Sequence, residues 1–511
     1  MEILVVVFSL ALLGLCGLFM HLYEILWLKP ERLRAKLRRQ GFSGPQPCFL
    51  LGNVPEMKKM TKSKSNAAAK SPTNEHDYAS TIFPFFEQWR EKYGRNFMVS
   101  FGNVQLLYIT DPYVAKEISI CTSLDLGKPA YQHKELRALL GQGILTSNGS
   151  LWAHQRKTIA PPLFMDKVKG MVNLMNEAAS ILVKSWDSKI ESEGGMADIR
   201  VDEDLRTFSS YMVSKTLFGS SSYKGIDMFI RLKALKKALS TPSLLNGVPG
   251  LRYLPTKNNR KIWRLEKEVQ SMILKIVKER TKDSCEKDLL QMIIEGANSG
   301  KIAPLTSEQF IVDNCKNIYL AGFETAAISA SWSLMLLASH PEWQCRVRAE
   351  VLEVCGGKVP DADMLLKMKT LTMVIQETMR LYPSLPLVTR EALQDMKFGD
   401  IHIPKGVNVW VSVLSLHKDP EIWGTDADKF NPERFAGGIM SATKLPQLYV
   451  PFGVGPRICA GQNFSMVELK MVLTLILSNF SFSLSPKYCH SPRFRFVIEP
   501  EHGVNLMVKR L

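Results

Sequence analysis

The sequence is poor in the marks of several common function classes. Its nine cysteines include no C-x-x-C pair, and no Cys/His grouping has zinc-site spacing, which leaves no basis for a metal finger or a dithiol redox centre. An odd number of scattered cysteines suits a reducing compartment. No flavin or nicotinamide motif is visible, so any electrons must come from outside the chain. No internal repeat is present, and past residue 75 there is no second linker. Acidic residues are scarce, 49 against 65 basic ones, which gives a formal net charge of +16 over 511 residues. Charge is also missing before the first apolar run, where only Glu2 stands; a cleaved signal peptide wants basic residues there.

That run, Ile3 to Met20, is interrupted only by Ser9 and two glycines, and Leu22 to Leu28 extend it to a length that crosses a bilayer. Lys29, Arg32, Arg34, Lys36, Arg38 and Arg39 follow, opposed by Glu31 alone. Residues 1–28 are therefore expected to form a single transmembrane anchor, with the bulk of the chain on the cytosolic side. Residues 29–47, basic and proline-rich through Gly44-Pro45-Gln46-Pro47, are expected to be a stiff linker, and 48–511 one catalytic domain. A basic cluster abutting an anchor speaks for a membrane rather than nucleic acid. Lys58 to Asn74, rich in Lys, Ser and Ala, reads as a surface loop. The sequons at Asn148, Asn463 and Asn479 carry no meaning in a cytosolic domain.

Apolar residues at three-to-four spacing predict helices over Ser307–Ser339, Pro341–Cys355, Met364–Leu381 and Gln462–Asn479. Strands are expected at Phe97–Thr110, Val388–Phe398, Asn408–Val413 and Phe494–Val508. The expected fold is mainly α with small β-sheets. Asn317–Ser339 is apolar enough to mimic a second span, but Glu324 within it favours a buried core helix.

Chemistry concentrates in Pro451-Phe452-Gly453-Val454-Gly455-Pro456-Arg457-Ile458-Cys459-Ala460-Gly461. Two glycines and two prolines force an irregular loop, and a helix follows at once. Amides at a helix start favour an anion, so they are expected to depress the Cys459 pKa and keep the sulfur charged. Gly455 and Gly461 leave room for a flat group, and Arg457 is placed to meet a carboxylate.

The spacing Phe452-x-x-Gly455-x-Arg457-x-Cys459-x-Gly461 resembles the haem-binding signature of the cytochrome P-450 family. Ala321-Gly322-Phe323-Glu324-Thr325 resembles its oxygen-activating helix, Glu377-Thr378-Met379-Arg380 its E-x-x-R, and Pro432-Glu433-Arg434-Phe435 its P-E-R-F segment. Trp152-x-x-x-Arg156 resembles the W-x-x-x-R that meets a haem propionate. The likeness covers essentially the whole chain and implies a P-450 fold behind the anchor. It implies that Cys459 ligates the iron of haem b and that Phe452, Arg457, Trp152, Arg156 and Arg390 line the cofactor. Glu377, Arg380 and Arg434 would form a structural triad holding the cysteine loop. Thr325 would steady dioxygen and Glu324 would relay protons, while Gly322 would let the helix open. Electrons would come from NADPH through a membrane-bound NADPH–cytochrome P-450 reductase at the endoplasmic reticulum.

Finer likenesses point to the plant seventy-two clan: His340-Pro341-Glu342-Trp343-Gln344, Val374 to Pro383, and His417-Lys418-Asp419-Pro420-Glu421-Ile422-Trp423-Gly424. Ile199 to Leu205 and Asp313-Asn314-Cys315-Lys316 resemble members that oxidise gibberellins, ent-kaurane acids or pentacyclic triterpenoids. The expected substrate is a polycyclic terpenoid, foremost a gibberellin or ent-kaurane-type acid. Leu124–Leu145, Asn314, Ile318, Ala321, Leu385–Val388 and His502–Asn505 are expected to line its pocket. Ser384 departs from the family, where a second proline is usual. Rival readings are a reductase-independent haem-thiolate isomerase or dehydratase, and an anchored haem protein without enzymatic activity.

Overall fold

The computed structural model describes residues 2–67, 76, 78–219, 225–240, 253–280 and 288–511. The first helix, Glu2–Tyr23, has no buried span and continues through a π-helical turn, Glu24–Leu28, into Lys29–Arg38. This last helix is packed on the domain. Pro30, Arg34 and Leu37 are buried, and the Arg34 guanidinium donates to Ser100 Oγ at 3.3 Å and Gln105 Oε1 at 3.2 Å. The segment read as a linker is thus helical for its first ten residues and seated on a sheet. Of the stretch read as a loop from Lys58, the part up to Ala67 belongs to the helix Val54–Ala67, and residues 68–74 lie outside the described ones.

A five-stranded sheet sits beside this entry. Asn96–Phe101 and Val104–Ile109 form a hairpin, Val104–Ile109 runs parallel to Asn408–Ser412, and Leu387–Ala392 pairs antiparallel with the latter. Leu126–Gly127 forms the far edge. A second, three-stranded sheet joins Met196–Arg200, Asn505–Arg510 and Phe480–Leu484. The strand expected over Phe494–Val508 is broken into three. Pro492–Arg495 and Val497–Pro500 make a hairpin turning at Phe496, whose φ is 69°, before Asn505–Arg510 starts.

The helical body is built around Ser307–Ser339, 33 residues and about 50 Å long at 1.5 Å per residue. A capping box starts it: Gln309 N–H donates to Thr306 Oγ1, and Thr306 N–H to Gln309 Oε1. It stops at His340 before Pro341. Its apolar window is 83% buried, against 0% for the N-terminal helix, so composition alone could not separate a core helix from an anchor but burial does. The helix expected over Met364–Leu381 is two, Ala362–Lys367 and Lys369–Leu381. Met368 is extended, and the Glu350 carboxylate caps the second helix by accepting Thr370 N–H and Leu371 N–H. That cap comes from a residue twenty positions away, where local periodicity cannot register it.

Candidate active site

Around Cys459 the chain forms an irregular turn because Gly453 and Gly455 adopt φ of 72° and 74°, where a Cβ is disfavoured. A Cβ on Gly455 would also stand 3.2 Å from Ser119 O. Cys459 N–H donates to Phe452 O at 2.8 Å, and the helix Gln462–Asn479 begins three residues later. At Gly461 nothing lies within 4 Å of a Cβ position, so the loop borders open space. Cys459 is exposed, yet desolvation pushes its thiol up; the sulfur faces an internal cleft rather than bulk water. The expectation that the loop depresses this pKa is corrected here. The Gly461 N–H and the Arg156 charge pull it down, but desolvation outweighs both. A bound metal ion reverses the balance by displacing the proton.

The opposite wall comes from Ser307–Ser339. Almost every residue of its central stretch is buried, but Ile318, Ala321, Gly322 and Thr325 keep partial exposure. Their three-to-four spacing puts them on one face, and an accessible face on a buried helix lines an internal space. Thr325 Oγ1 donates to Ala321 O at 2.8 Å. The helix runs unbroken through Gly322, so the expected local opening is not seen. Glycine is required there because a Cβ would stand 2.5 Å from Val213 Cγ2 of the helix Val201–Phe218.

Glu324 turns to another side of the helix. Lys236 Nζ lies 2.7 Å and Arg206 Nε 3.4 Å from its Oε1. Both cations also reach Glu499, at 3.4 and 3.1 Å, and Arg206 Nη1 meets Asp202 at 2.8 Å. Desolvation pulls the Arg206 pKa down, but Glu324, Glu499, Asp202 and Glu203 together hold it above its ordinary value. Glu324 and Thr325 are adjacent in sequence but face different surroundings.

Arg390 and Arg457 stand beside Val454 and Pro456 of the cysteine loop, and Lys128 is close to both. Each is desolvated, Lys128 feels the charges of Arg390 and Arg457, Arg457 feels that of Arg390, and among the described residues no carboxylate pairs with any of them. Burial pushes Arg390 and Arg457 down to about 10, and Lys128 well below its usual range. Arg457 is held by neutral groups: Ser147 O at 3.1 Å, Asn148 Oδ1 at 2.8 Å, and the Trp152 ring 4.4 Å beneath its guanidinium. Among the described residues Arg390 donates only to Thr389 O, at 3.0 Å. A cationic cluster without counter-ions calls for an anionic ligand with more than one carboxylate. Haem, with two propionates and an iron that takes a thiolate, fits this cradle and the cysteine of the adjoining loop. Arg156 stands apart from the cluster, donating to Ile458 O at 2.7 Å beside Cys459. Lys128 and Asn148 were not singled out as site residues; the Asn148 side chain accepts Lys128 N–H at 2.6 Å and donates to Lys128 O at 2.8 Å. Only their folding together reveals them.

Glu377 and Arg380, three apart on a helix, are both fully buried and doubly bonded at 2.7 Å. Arg434 Nε reaches Glu377 Oε1 at 3.3 Å. Arg380 further donates to His417 O, Ala427 O and Lys429 O. His417 carries this rigidity to the cysteine loop: its Nε2 accepts Val450 N–H at 3.1 Å, which leaves Nδ1–H to donate to Arg380 O at 3.1 Å. Burial and the Arg380 charge push the His417 pKa down to about 3, so it stays neutral. Sequence reasoning gave the triad but missed this histidine.

The segment before Trp152 is clamped to the central helix. Asp313 Oδ2 accepts Gln142 N–H, Asn314 Oδ1 accepts Ile144 N–H and Asn317 Oδ1 accepts Leu145 N–H, all within 3.0 Å, while Asn317 Nδ2 donates to Leu140 O at 2.6 Å. Asn314 is fully buried by this duty and does not line the pocket as expected. His502–Asn505, expected along the pocket, packs on Arg200 and Asp202. The Phe496 hairpin reaches Ser384 instead, through Ile498 N–H to Ser384 O at 3.0 Å.

The cytochrome P450 family model matches residues 74–506. Cytochrome P450 714C2 of Oryza sativa subsp. japonica is 54% identical over 501 residues, covering 97% of this chain and 96% of the relative. Cytochrome P450 714B3 of Zea mays is 46% identical, covering 99% and 96%, and Cytochrome P450 714A2 of Arabidopsis thaliana is 44% identical, covering 98% of both. Family model, relatives and site geometry agree: the chain belongs to the cytochrome P450 family, is similar along its whole length to plant members of the 714 group, and is a monooxygenase.

Proposed function

We propose that this monooxygenase hydroxylates or epoxidises a rigid polycyclic terpenoid, foremost a gibberellin or ent-kaurane-type acid, with electrons from NADPH–cytochrome P-450 reductase. Cys459 is the iron ligand in this reading, and Lys128, Arg390 and Arg457 hold the propionates, with Trp152 under Arg457, Phe452 closing the loop and Arg156 beside the sulfur. Haem bound there supplies the activation of dioxygen, from which one atom enters the substrate. The protein's own part is to bind, orient and pass protons. Ile318, Ala321 and Val388 orient an apolar skeleton. The Thr325 hydroxyl, now bonded to its own helix, can turn toward the cleft as a donor. Glu324 relays protons when Lys236 and Arg206 release it.

The observation that carries the substrate reading is the clamp from Asp313, Asn314 and Asn317 to residues 140–145. A wall fixed before binding suits a substrate that is itself inflexible, because neither partner loses much freedom on association. The apolar N-terminal helix supports placement in the endoplasmic reticulum membrane with the domain cytosolic. Co-expression with a reductase in microsomes, feeding of diterpenoid, triterpenoid and fatty acids, and mass spectrometry test the reading. An NADPH-dependent product one oxygen heavier than a diterpenoid acid is expected. Turnover of fatty acids alone, or product without NADPH, overturns it.

A further inference from the structure

Glu324 shares both of its cations with a carboxylate from a distant part of the chain. Lys236 Nζ lies 2.7 Å from Glu324 Oε1 and 3.4 Å from Glu499 Oε2. Arg206 reaches the same two oxygens at 3.4 and 3.1 Å. Among the described residues Glu324 accepts from these two cations alone, so two contacts hold its side chain where it is. Glu499 is fixed far more firmly, because its strand, Val497–Pro500, is fastened on both edges at the preceding residue. Ile498 N–H donates to Ser384 O at 3.0 Å, and the Trp332 indole N–H donates to Ile498 O at 3.0 Å. The second oxygen of Glu499, Oε1, faces Arg495 Nη1 at 3.3 Å, and Arg495 is partly exposed on the paired strand Pro492–Arg495.

A carboxylate that turns away from buried cations leaves a heavy penalty behind it when those cations have no other partner. Neither is left alone here. Lys236 keeps Glu499, and Arg206 keeps Glu499 and Asp202, the latter at 2.8 Å. We propose that Glu499 is a positioning residue for proton delivery: it retains Lys236 and Arg206 when the Glu324 side chain swings off them, and Arg495 sets how strongly it does so. The inference rests on the reading of Glu324 as the proton relay and adds what lowers the cost of its release. Two carboxylates on the same two cations each weaken the other's hold. Removing the Glu499 charge therefore tightens Lys236 and Arg206 on Glu324. Removing the Arg495 charge does the reverse, because Glu499 then draws the two cations harder. Opposite effects from two neighbours on one hairpin separate a balance of charge from a packing role.

Urea unfolding of the haem-loaded, detergent-solubilised chain tests the sharing. The midpoint shift caused by Glu324→Gln should be larger in a Glu499→Gln background than in the parent, and smaller in an Arg495→Gln background. Glu499→Asp, which keeps the charge, should fall nearer the parent than Glu499→Gln does. Arg495 is partly exposed, so its variant keeps the test decisive should Glu499→Gln fold poorly. Equal shifts in every background overturn the proposal, as do changes of the same sign in the two. Turnover of the diterpenoid, triterpenoid and fatty acids named above, with reductase and NADPH, gives the second readout. Glu499→Gln should lower kcat several-fold at unchanged KM and enlarge the solvent deuterium isotope effect, whereas Arg495→Gln should shrink that isotope effect. Glu324→Gln separates the two levels. If it leaves kcat and the isotope effect at parent values, the relay reading and this inference fall together. If it changes both while the midpoint shifts stay additive, the inference falls alone.

Discussion

Lys236 Nζ stands 2.7 Å from Glu324 Oε1, so the acid of the acid–alcohol pair is tied to a helix, Gly225–Leu239, separate from its own. Lys236 and Arg206 are the two cations on buried Glu324, while Asp202 and Glu499 have further partners in Arg200 and Arg495. Lys236→Met takes from Glu324 the nearer of its two cations and leaves only Arg206, at 3.4 Å, among the described residues. It should lower the unfolding free energy by about 3–5 kcal/mol, since a buried charge losing its partner is strongly destabilising. Adding Glu324→Gln should recover part of the loss in urea titrations of the detergent-solubilised protein. Equal stability of both variants and the parent would show that the cluster is wetter than its geometry indicates.

Lys128 should have opposite effects on the empty and the haem-loaded protein. Without haem its charge repels Arg390 and Arg457, so Lys128→Met should stabilise the apoprotein. With haem, a charge-assisted bond worth about 1.5–3 kcal/mol is lost, and haem should transfer to apomyoglobin roughly tenfold or more faster. Measuring both midpoint and transfer rate is the check; two changes of the same sign would remove Lys128 from the cradle.

Glu468, on the helix after Cys459, is buried, and neither carboxylate oxygen has a well-formed hydrogen bond. Desolvation pushes its pKa from 4.5 up to about 8, with Ser209 offsetting a little. The folded state therefore keeps the proton while the unfolded chain gives it up. This contribution to stability is fully present below about 4.5, declines as pH rises, and levels off above about 8. Glu468→Gln should make the denaturation midpoint fall less between pH 6 and pH 8. An unchanged slope would mean that the carboxylate is hydrated in solution.

Asn317 holds Leu145 N–H and Leu140 O with one side chain. Asn317→Ala strips partners from two backbone groups at about 1–3 kcal/mol each. The released segment should widen the product distribution on a terpenoid acid more than it slows total turnover, as chromatography of the products would reveal. A uniform fall in rate with one product retained would argue that this wall does not orient the substrate.

The readable part of the molecule was the part whose partners are close in sequence. Glu377 and Arg380 lie one turn apart, and the Cys459 loop is a continuous run of glycine and proline, so both could be named from residue spacing. Their surroundings could not. A lone Glu–Arg pair is usually solvated, and only the fold shows it fully buried with Arg434, His417 and the cysteine loop joined behind it. Asn148 looked like a chance sequon because its acceptor role depends on Arg457, more than 300 residues on. Glu324 likewise drew its partners from Arg206 and Lys236, neither of them on its own helix. Polar side chains whose partners come from distant elements leave no periodic trace.

Arg34 bears on how a soluble form should be cut. Removing the first 38 residues with the apolar helix would take the Arg34 guanidinium from buried Ser100 and Gln105 and bare the groove that Leu37 fills. Such a fragment would be expected to expose sticky sheet surface and precipitate. A cut in the π-turn, before Lys29, discards the greasy part and leaves the seated helix as a plug.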